Sequence, residues 1–131
     1  MGLTGIIIAI IIVAGVVFFV VFVQPYGQQA GADVYKTKIA GINMRTGVRR
    51  FAGTIIDCHL VPEPENPHDA NAIKIVESTT GTHIGYVPAK ETNDVRIFLR
   101  NDFTKTHRAY VEEVKDYDDW FLVGEIEIKR E

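Results

Sequence analysis

The stretch LVPEPENPHDANAIKI, Leu60 to Ile75, closes one β-like run, bends through a loop and opens another. Its three prolines, Pro62, Pro64 and Pro67, fix φ and push each preceding residue toward extended backbone. The same stretch carries three carboxylates, two asparagines and one histidine. The pattern predicts a stiff, polar bend between two strands, and such stiffness lowers the entropy that is lost when a ligand binds.

Short runs of β-forming residues surround this bend. In TIIDCHL, just before it, Ile56, Cys58 and Leu60 fall on one face, and Ile55 and Asp57 fall on the other. The clearest alternation is DWFLVGEIEIK near the C-terminus, and the remaining runs are VYKTKIAGI, AIKIV, HIGYV and THRAYVEEVK. These runs predict five or six short strands.

One segment, PAKETNDVRIFLRN, follows a helical period instead. It begins at Pro88 and places Val95, Phe98 and Leu99 on one face, which predicts a short amphipathic helix. One short helix among several short strands is typical of a small, curled barrel. The domain is therefore predicted to be mainly β with one or two short helices, arranged as a small OB/SH3-like β-barrel.

The N-terminus is a different kind of sequence. From Leu3 to Val23 no residue is charged, and a helix of that length would span roughly 31 Å, the thickness of a bilayer's hydrocarbon core. A cleaved signal peptide is the alternative, but the run is too long for one and no Lys or Arg precedes it. We predict a retained single-pass transmembrane helix in residues 1–23, a linker in residues 24–33 and the β-barrel domain in residues 34–131.

Flanking charge predicts the side of the membrane. Lys36 and Lys38 follow the apolar run and nothing basic precedes it, so the positive-inside rule places the C-terminal domain in the cytoplasm. Cys58 is the single cysteine, and a single thiol forms no intrachain disulfide, so an oxidising compartment is not required.

The charge balance limits the kind of ligand. All 14 Lys and Arg and all 17 Asp and Glu lie after the apolar run, so the domain carries the whole net charge of -3. Proteins that bind long duplexes are usually basic, because phosphate neutralisation supplies their affinity. Any nucleic-acid site on this domain should therefore be small and local.

The loop supplies candidate ligand-binding groups. Asn66 offers donors and an acceptor, Asp69 offers an acceptor, and His68 offers a ring face and a donor. Together these groups can hold a sugar hydroxyl and stack on a base. Asn and Asp beside proline are also common turn residues whose side chains bond their own main chain, so a purely structural turn is an alternative.

Metal and catalytic sites are weakly indicated. Cys58 and His59 are adjacent in a strand and so point to opposite faces, and no CxxC or HxxxH spacing occurs. His59 and His107 have no serine or cysteine nearby in a recognisable nucleophile elbow. We predict no metal, no cofactor and no catalytic residue, and a binding protein rather than an enzyme.

The chain resembles the HIRAN domain family in three stretches, RRFAG, LVPEPENPHDANAIKI and HIGYVP. The residues that match the central motif are Glu63, Pro64, Asn66, Pro67, Asp69, Asn71, Ala72 and Ile73. The resemblance extends from Lys38 to Glu131, and it implies an OB-like barrel that captures the free 3′-hydroxyl end of single-stranded DNA.

The resemblance also implies a nucleic-acid site formed by Arg49, Arg50, Asn66, His68, Asp69 and Tyr86. In that site Asp69 would accept the terminal 3′-hydroxyl, and Asn66 would support the terminal nucleotide. His68 stands where the family usually has a tyrosine that stacks on a base, and Tyr86 would line the same pocket. The two arginines would sit at the entrance and meet phosphate.

Two function hypotheses follow from these observations. The first is membrane-tethered recognition of a nucleic-acid end, or of damaged or stalled DNA, without catalysis. The second is a membrane-anchored protein-interaction module that binds a peptide in the same groove. An enzyme acting on a nucleotide or a peptide ranks third.

Overall fold

The computed structural model describes residues 7–13, 16–22, 29–31 and 33–130, with side chains described from residue 33 onward. Its strands are β1 (Ile7–Val13), β2 (Val16–Phe22), β3 (Gln29–Gly31), β4 (Val34–Lys38), β5 (Thr54–Pro62), β6 (Ile73–Glu77), β7 (His83–Tyr86), β8 (Thr106–Asp116) and β9 (Asp119–Lys129). Helix α1 spans Thr92–Leu99, and 3-10 turns lie at Ile42–Met44, Arg49–Phe51 and Ala89–Glu91. The six predicted strands of the domain and its predicted helix are confirmed.

Seven of these strands form one antiparallel sheet in the order β3-β4-β9-β8-β5-β6-β7. The sheet curls until the chain just beyond β4 meets β7. There the main-chain nitrogen of Ala40 donates to the carbonyl of Tyr86 at 2.8 Å, and the nitrogen of Tyr86 donates to the carbonyl of Ala40 at 2.9 Å. These two bonds join opposite sides of the curled sheet and give the mainly β, OB-like architecture that the sequence predicted.

Gly85 permits this junction. A Cβ atom at this position would lie 2.5 Å from the carbonyl oxygen of Ala40 and 2.6 Å from Cγ2 of Ile39. The carbonyl belongs to main chain that is already bonded to Tyr86, so it cannot turn aside as the end of a side chain can. A glycine in a strand often marks such a close backbone approach, and here the approach brings two edges of the sheet together.

The core fills the inside of the curled sheet. The β5 residues assigned to one face, Ile56, Cys58 and Leu60, are all buried. The apolar face of α1, which includes Val95 and Leu99, joins the same cluster. Removal of this apolar surface from water is the main favourable contribution to folding, and it fixes which face of each strand is left outside for a ligand.

The N-terminal segment differs from the prediction. Ile7–Val13 and Val16–Phe22 are strands that pair with each other antiparallel, whereas a single helix was expected from Leu3 to Val23. Ile is frequent in the first strand and Val in the second, and β-branched residues favour extended backbone over helix. Across residues 7–13, 16–22, 29–31 and 33–130, no helix is both long and apolar enough to span a bilayer. Most of the predicted linker, residues 24–33, lies outside the described residues.

The close approach at Gly85 generates a stability prediction. Gly85→Ala should lower the free energy of unfolding by about 1–3 kcal/mol, because the new methyl group must push two hydrogen-bonded segments apart. Urea unfolding followed by far-ultraviolet circular dichroism measures this loss.

Gly124→Ala is the matched control. A Cβ atom there would lie 2.8 Å from Cδ1 of Ile39 and 2.9 Å from Cδ1 of Ile42, and both atoms are ends of flexible side chains. The loss should therefore be smaller than at Gly85. Equal losses at the two positions would contradict the importance of the Ala40–Tyr86 junction.

Candidate nucleic-acid interface

Asn66 braces the proline loop from within. Its side-chain oxygen accepts hydrogen bonds from the main-chain nitrogens of His68 at 2.8 Å and Asp69 at 3.1 Å. Its own main-chain nitrogen donates to the carbonyl of Glu63 at 3.0 Å. This is the local bonding that Asn side chains provide in turns, and it adds to the stiffness that the prolines impose. The amide oxygen of Asn66 is therefore occupied by the loop itself.

Asp69 is only partly occupied. One carboxylate oxygen, Oδ1, accepts the main-chain nitrogen of Asn71 at 2.9 Å, and the carbonyl of Asp69 accepts the nitrogen of Ala72 at 3.0 Å. The other oxygen, Oδ2, forms no hydrogen bond or ion pair with any residue in the range 33–130. A half-buried carboxylate with one oxygen held and one oxygen open is a positioned acceptor.

Glu63 ties the loop to the sheet. Its Oε1 accepts the hydroxyl of Tyr86 on β7 at 2.8 Å and the side-chain amide of Asn66 at 3.0 Å. Its Oε2 lies 3.3 Å from Nζ of Lys74 on β6. Lys74 and Tyr86 are directly opposite each other in the strand pairing, so a single carboxylate joins the loop to two neighbouring strands.

These contacts shift the ionisation of both partners. Hydrogen bonds from Asn66 and then Tyr86, together with the nearby Lys74, lower the pKa of Glu63 below its ordinary value. Burial, followed by the bond to Glu63, raises the pKa of Tyr86. At neutral pH the carboxylate is therefore ionised and the phenol is protonated, which is the pairing that the hydrogen bond requires.

An open hollow of about 510 Å³ lies between the loop and Tyr86. Its walls are residues 61–67, Lys74 and Tyr86. Three proline rings give it apolar surface, and Glu63, Asn66 and Tyr86 give it polar groups. A few convergent polar groups on an otherwise apolar concave wall are typical of a small-ligand site.

The ring of Tyr86 has two further neighbours. The guanidinium of Arg45 lies over the ring, 5.4 Å from its centre, and the ring of His83 meets it edge-on at 4.9 Å. Nε2 of His83 donates to the carbonyl of Gly85 at 3.1 Å, which fixes the orientation of the imidazole. Burial, and then the charge of Arg45, lower the pKa of His83. Because Arg45 occupies one face of the tyrosine, a base has at most the other face for stacking.

Two of the six predicted site residues, Asn66 and Tyr86, lie on the hollow. Asp69 comes just after the loop residues that line the hollow, and its Oδ2 is the open oxygen described above. His68 is exposed and does not line the hollow, although it belongs to the same loop.

The two predicted arginines lie elsewhere. Arg49 forms an ion pair with Glu113 on β8. Arg50 donates to the hydroxyl of Thr82 at 2.8 Å and to that of Thr80 at 3.4 Å, at the turn between β6 and β7. That turn is at the opposite end of β7 from Tyr86, so neither arginine stands at the entrance of the hollow as the resemblance implied.

Three residues of the site were missed. Glu63 was recognised only as a motif match, Lys74 only as part of a strand, and Arg45 not at all. Alternation along AIKIV, the run that contains Lys74, could have placed Lys74 on the outer face beside Tyr86. Nothing local marks Arg45, because its contact with Tyr86 arises only when the sheet curls.

A second groove lies on another part of the surface. It has a volume of about 580 Å³ and is formed by the 3-10 turn at Ile42–Met44 and by parts of β8 and β9. Met44 is 81% exposed there, and Tyr110 and Val123 are also exposed. Among residues 33–130, no cluster of three or more His, Cys, Asp or Glu is placed to hold a metal ion.

Comparison with known families places the chain. Residues 33–122 match the HIRAN domain family. The chain belongs to the HIRAN domain family. A solved structure of the HIRAN domain of human HLTF is similar to it, with 19% sequence identity, 75% of this chain and 78% of that chain covered, and a TM-score of 0.47. No curated protein matched the chain.

The role of Glu63 in this HIRAN domain can be tested through pH. Its folded-state pKa lies below the ordinary value of 4.5, so the ionised form adds stability that is fully present above that value and is lost as the pH falls through the folded-state pKa. Glu63→Gln should therefore be less stable than the wild type at pH 7, with the difference shrinking as the pH falls below 4.5. Urea unfolding over a pH series measures it.

Glu65→Gln provides the control for this series, since Glu65 is an exposed carboxylate in the same loop. It should leave the pH profile close to that of the wild type. A difference between wild type and Glu63→Gln that stays constant with pH, or grows in acid, would rule out the proposed ionic role of Glu63.

Proposed function

We propose that this HIRAN domain binds the 3′-hydroxyl end of a single-stranded nucleic acid in the hollow beside the proline loop, without catalysing a reaction. The observation that supports the proposal most directly is the open hollow between a rigid loop and Tyr86. Asp69, in the same loop, would accept the terminal hydroxyl through its open oxygen. An ionised acceptor favours a hydroxyl donor and repels a terminal phosphate.

The available contacts suit a short ligand. One base on the open face of Tyr86 would contribute about 1–3 kcal/mol. A hydrogen bond from the hydroxyl to the Asp69 carboxylate would add about 1.5–3 kcal/mol. These terms support weak binding of one or two nucleotides, in keeping with a net charge of -3 that disfavours a long basic track.

The structure changes the roles assigned to several residues. Because Asn66 braces the loop and bonds Glu63, we assign it to holding the site in shape rather than to gripping the nucleotide. His68 is exposed at the edge of the loop, where it can stack on a base that leaves the hollow. Arg49 is paired with Glu113 and is given no contact with the terminal nucleotide.

The test compares two ends of the same oligonucleotide. Fluorescence anisotropy of the full-length chain in mild detergent is measured with short labelled single strands that carry either a 3′-hydroxyl or a 3′-phosphate. The hydroxyl form should bind at least about tenfold more tightly, given the strength of a hydrogen bond to a charged group. Asp69→Asn should remove the difference, and it preserves the turn because an amide oxygen can still accept the nitrogen of Asn71.

The alternative hypothesis predicts a different result. Equal, weak binding of both ends, unchanged by Asp69→Asn, would favour a protein-interaction module. In that case the groove beside Met44, where the side chains of Met44, Tyr110 and Val123 are exposed, is a further surface on which to seek a peptide.

We also propose that Leu3–Val23 tethers the domain to a membrane, with the domain on the cytoplasmic side. The support is the absence of charge over the whole run and the position of Lys36 and Lys38 after it. In a bilayer we expect this segment to be helical, because an open pair of strands would leave main-chain groups unsatisfied in the hydrocarbon.

Introduced cysteines can test this topology. Cys58 is fully buried and its pKa is raised to about 12 by burial, so the wild-type thiol should resist maleimide labelling. Asp118→Cys places a thiol at the exposed turn between β8 and β9. A membrane-impermeant maleimide should label this variant only after the cells are permeabilised. Labelling in intact cells would reverse the proposed topology, and recovery of the protein from the soluble fraction would exclude the tether.

A further inference from the structure

Arg45 lies against the candidate site without a counter-charge. Its guanidinium stacks over the ring of Tyr86, and its Nε is buried with no hydrogen-bond acceptor among residues 33–130. It forms no ion pair with a described carboxylate. A buried charged donor without an acceptor lowers stability. The two terminal nitrogens of the guanidinium, unlike Nε, are not buried, and neither has an acceptor among residues 33–130, so they are the groups that can meet an anion.

The carboxylate of Glu63 at the hollow already has partners. Oε1 of Glu63 accepts from Tyr86 at 2.8 Å and from Asn66 at 3.0 Å, while Oε2 lies 3.3 Å from Lys74. Glu63 thus balances Lys74, and it forms no ion pair with Arg45. The guanidinium is the unbalanced positive charge next to the hollow.

Three other arginines of the domain have partners within the protein. Arg49 pairs with Glu113, Arg50 bonds Thr82, and Arg96 donates to the carbonyl of Asn71 at 2.9 Å. Arg45 differs from all three, because its guanidinium contacts the ring of Tyr86 and bonds no oxygen among residues 33–130. Ring stacking satisfies one face of a guanidinium and leaves its N–H groups, which lie in the plane, free to meet a ligand.

We infer that Arg45 holds a backbone phosphate of the strand whose 3′ end occupies the hollow, an inference that rests on the proposed function. A guanidinium can bind a phosphate through two parallel N–H groups, which fixes the phosphate in orientation as well as position. The strand would pass over the exposed part of Tyr86 and continue along the outer side of β7.

The position of Arg50 gives this path a direction. It lies at the other end of β7, a four-residue strand, so roughly 10 Å of strand separates it from Tyr86 at about 3.3 Å per residue. At the stacked spacing of about 3.4 Å, that distance corresponds to about three nucleotides. His83 lies between the two arginines, and its lowered pKa leaves Arg45 as the permanent charge at the Tyr86 end of the path.

The test removes one phosphate charge at a time. A 3′-hydroxyl oligonucleotide is made with a single neutral methylphosphonate at each of the last few linkages in turn, and its affinity is measured for the full-length wild type and for Arg45→Gln. One substitution near the 3′ end should weaken wild-type binding by about tenfold, as expected for a lost charge-assisted hydrogen bond. The same substitution should have little effect on Arg45→Gln, because the two changes remove one interaction.

Salt dependence provides a second readout. The slope of log affinity against log salt concentration should fall by about 0.7 in Arg45→Gln, the value for one phosphate contact with a single strand. Arg45→Lys should restore the slope but not the full affinity, since an ammonium keeps the charge and loses the two-pronged geometry. Arg108→Gln, which removes an exposed arginine from β8, is the control for net charge and should leave the methylphosphonate pattern unchanged.

The outcomes separate this inference from the proposed function. If the wild type binds and discriminates the 3′-hydroxyl, but Arg45→Gln shows the same methylphosphonate pattern and the same salt slope, Arg45 is not a phosphate ligand and the end-binding proposal stands. If the wild type binds no oligonucleotide, both proposals fail. The thermal unfolding midpoint of each variant is measured as a control for folding. If Arg45→Gln is unfolded, Arg45→Lys is compared with the wild type instead. The inference then requires that these two proteins differ in affinity for the unmodified strand.

Discussion

Both the curled sheet and the surroundings of Tyr86 depend on the pair of main-chain hydrogen bonds between Ala40 and Tyr86. Those bonds join the chain beyond β4 to β7, which are far apart in the order of the sheet. They also fix where the segment from residue 41 to residue 53 can run, so that Arg45 lies over the ring of Tyr86 and Gly47 lies near Thr82. Gly85 is needed because no side chain fits at the crossing. A tertiary junction thus sets the local chemistry of the tyrosine, and the same two bonds serve both the fold and the site.

The site divides its polar residues between support and contact. Glu63 and Asn66 hydrogen-bond to one another, to the loop and to Tyr86, so in the proposed function they support the hollow rather than contact the ligand. Asp69 and Arg45 are the groups left with unused capacity, one for a donor and the other for an anion. This separation favours binding, because a group that is already held in place by its neighbours loses little conformational entropy when a ligand binds.

Much of the fold was predictable because strands have a period of two. The alternation in TIIDCHL identified the buried face of β5, and DWFLVGEIEIK identified β9. The same alternation places Trp120 on the face of Leu122 and Ile126, yet Trp120 is 55% exposed, because it lies at the hairpin end of β9, where its β8 partner Lys115 is exposed too. The HIRAN family was recognisable from a motif that stands in one loop. The neighbours of Tyr86 were not, since Arg45 is 41 positions away in sequence (86 minus 45) and no local pattern reports which outer faces come together.

Charge is segregated across the domain in a way that favours a short ligand. The ends of β8 and β9 carry a run of acids, and one of them, Glu113, takes up Arg49. This acidic hairpin would repel any nucleic-acid strand that reached it, because the charges are alike. Positive charge close to the hollow is limited, because Glu63 balances the charge of Lys74. The charge that is left is that of Arg45, which lies over Tyr86 and pairs with no described carboxylate. With so few unbalanced positive charges, the proposed site would bind a nucleic-acid strand weakly in solution. Confinement on the proposed membrane tether would raise the effective concentration for any ligand held at the same surface, which makes weak end recognition sufficient there.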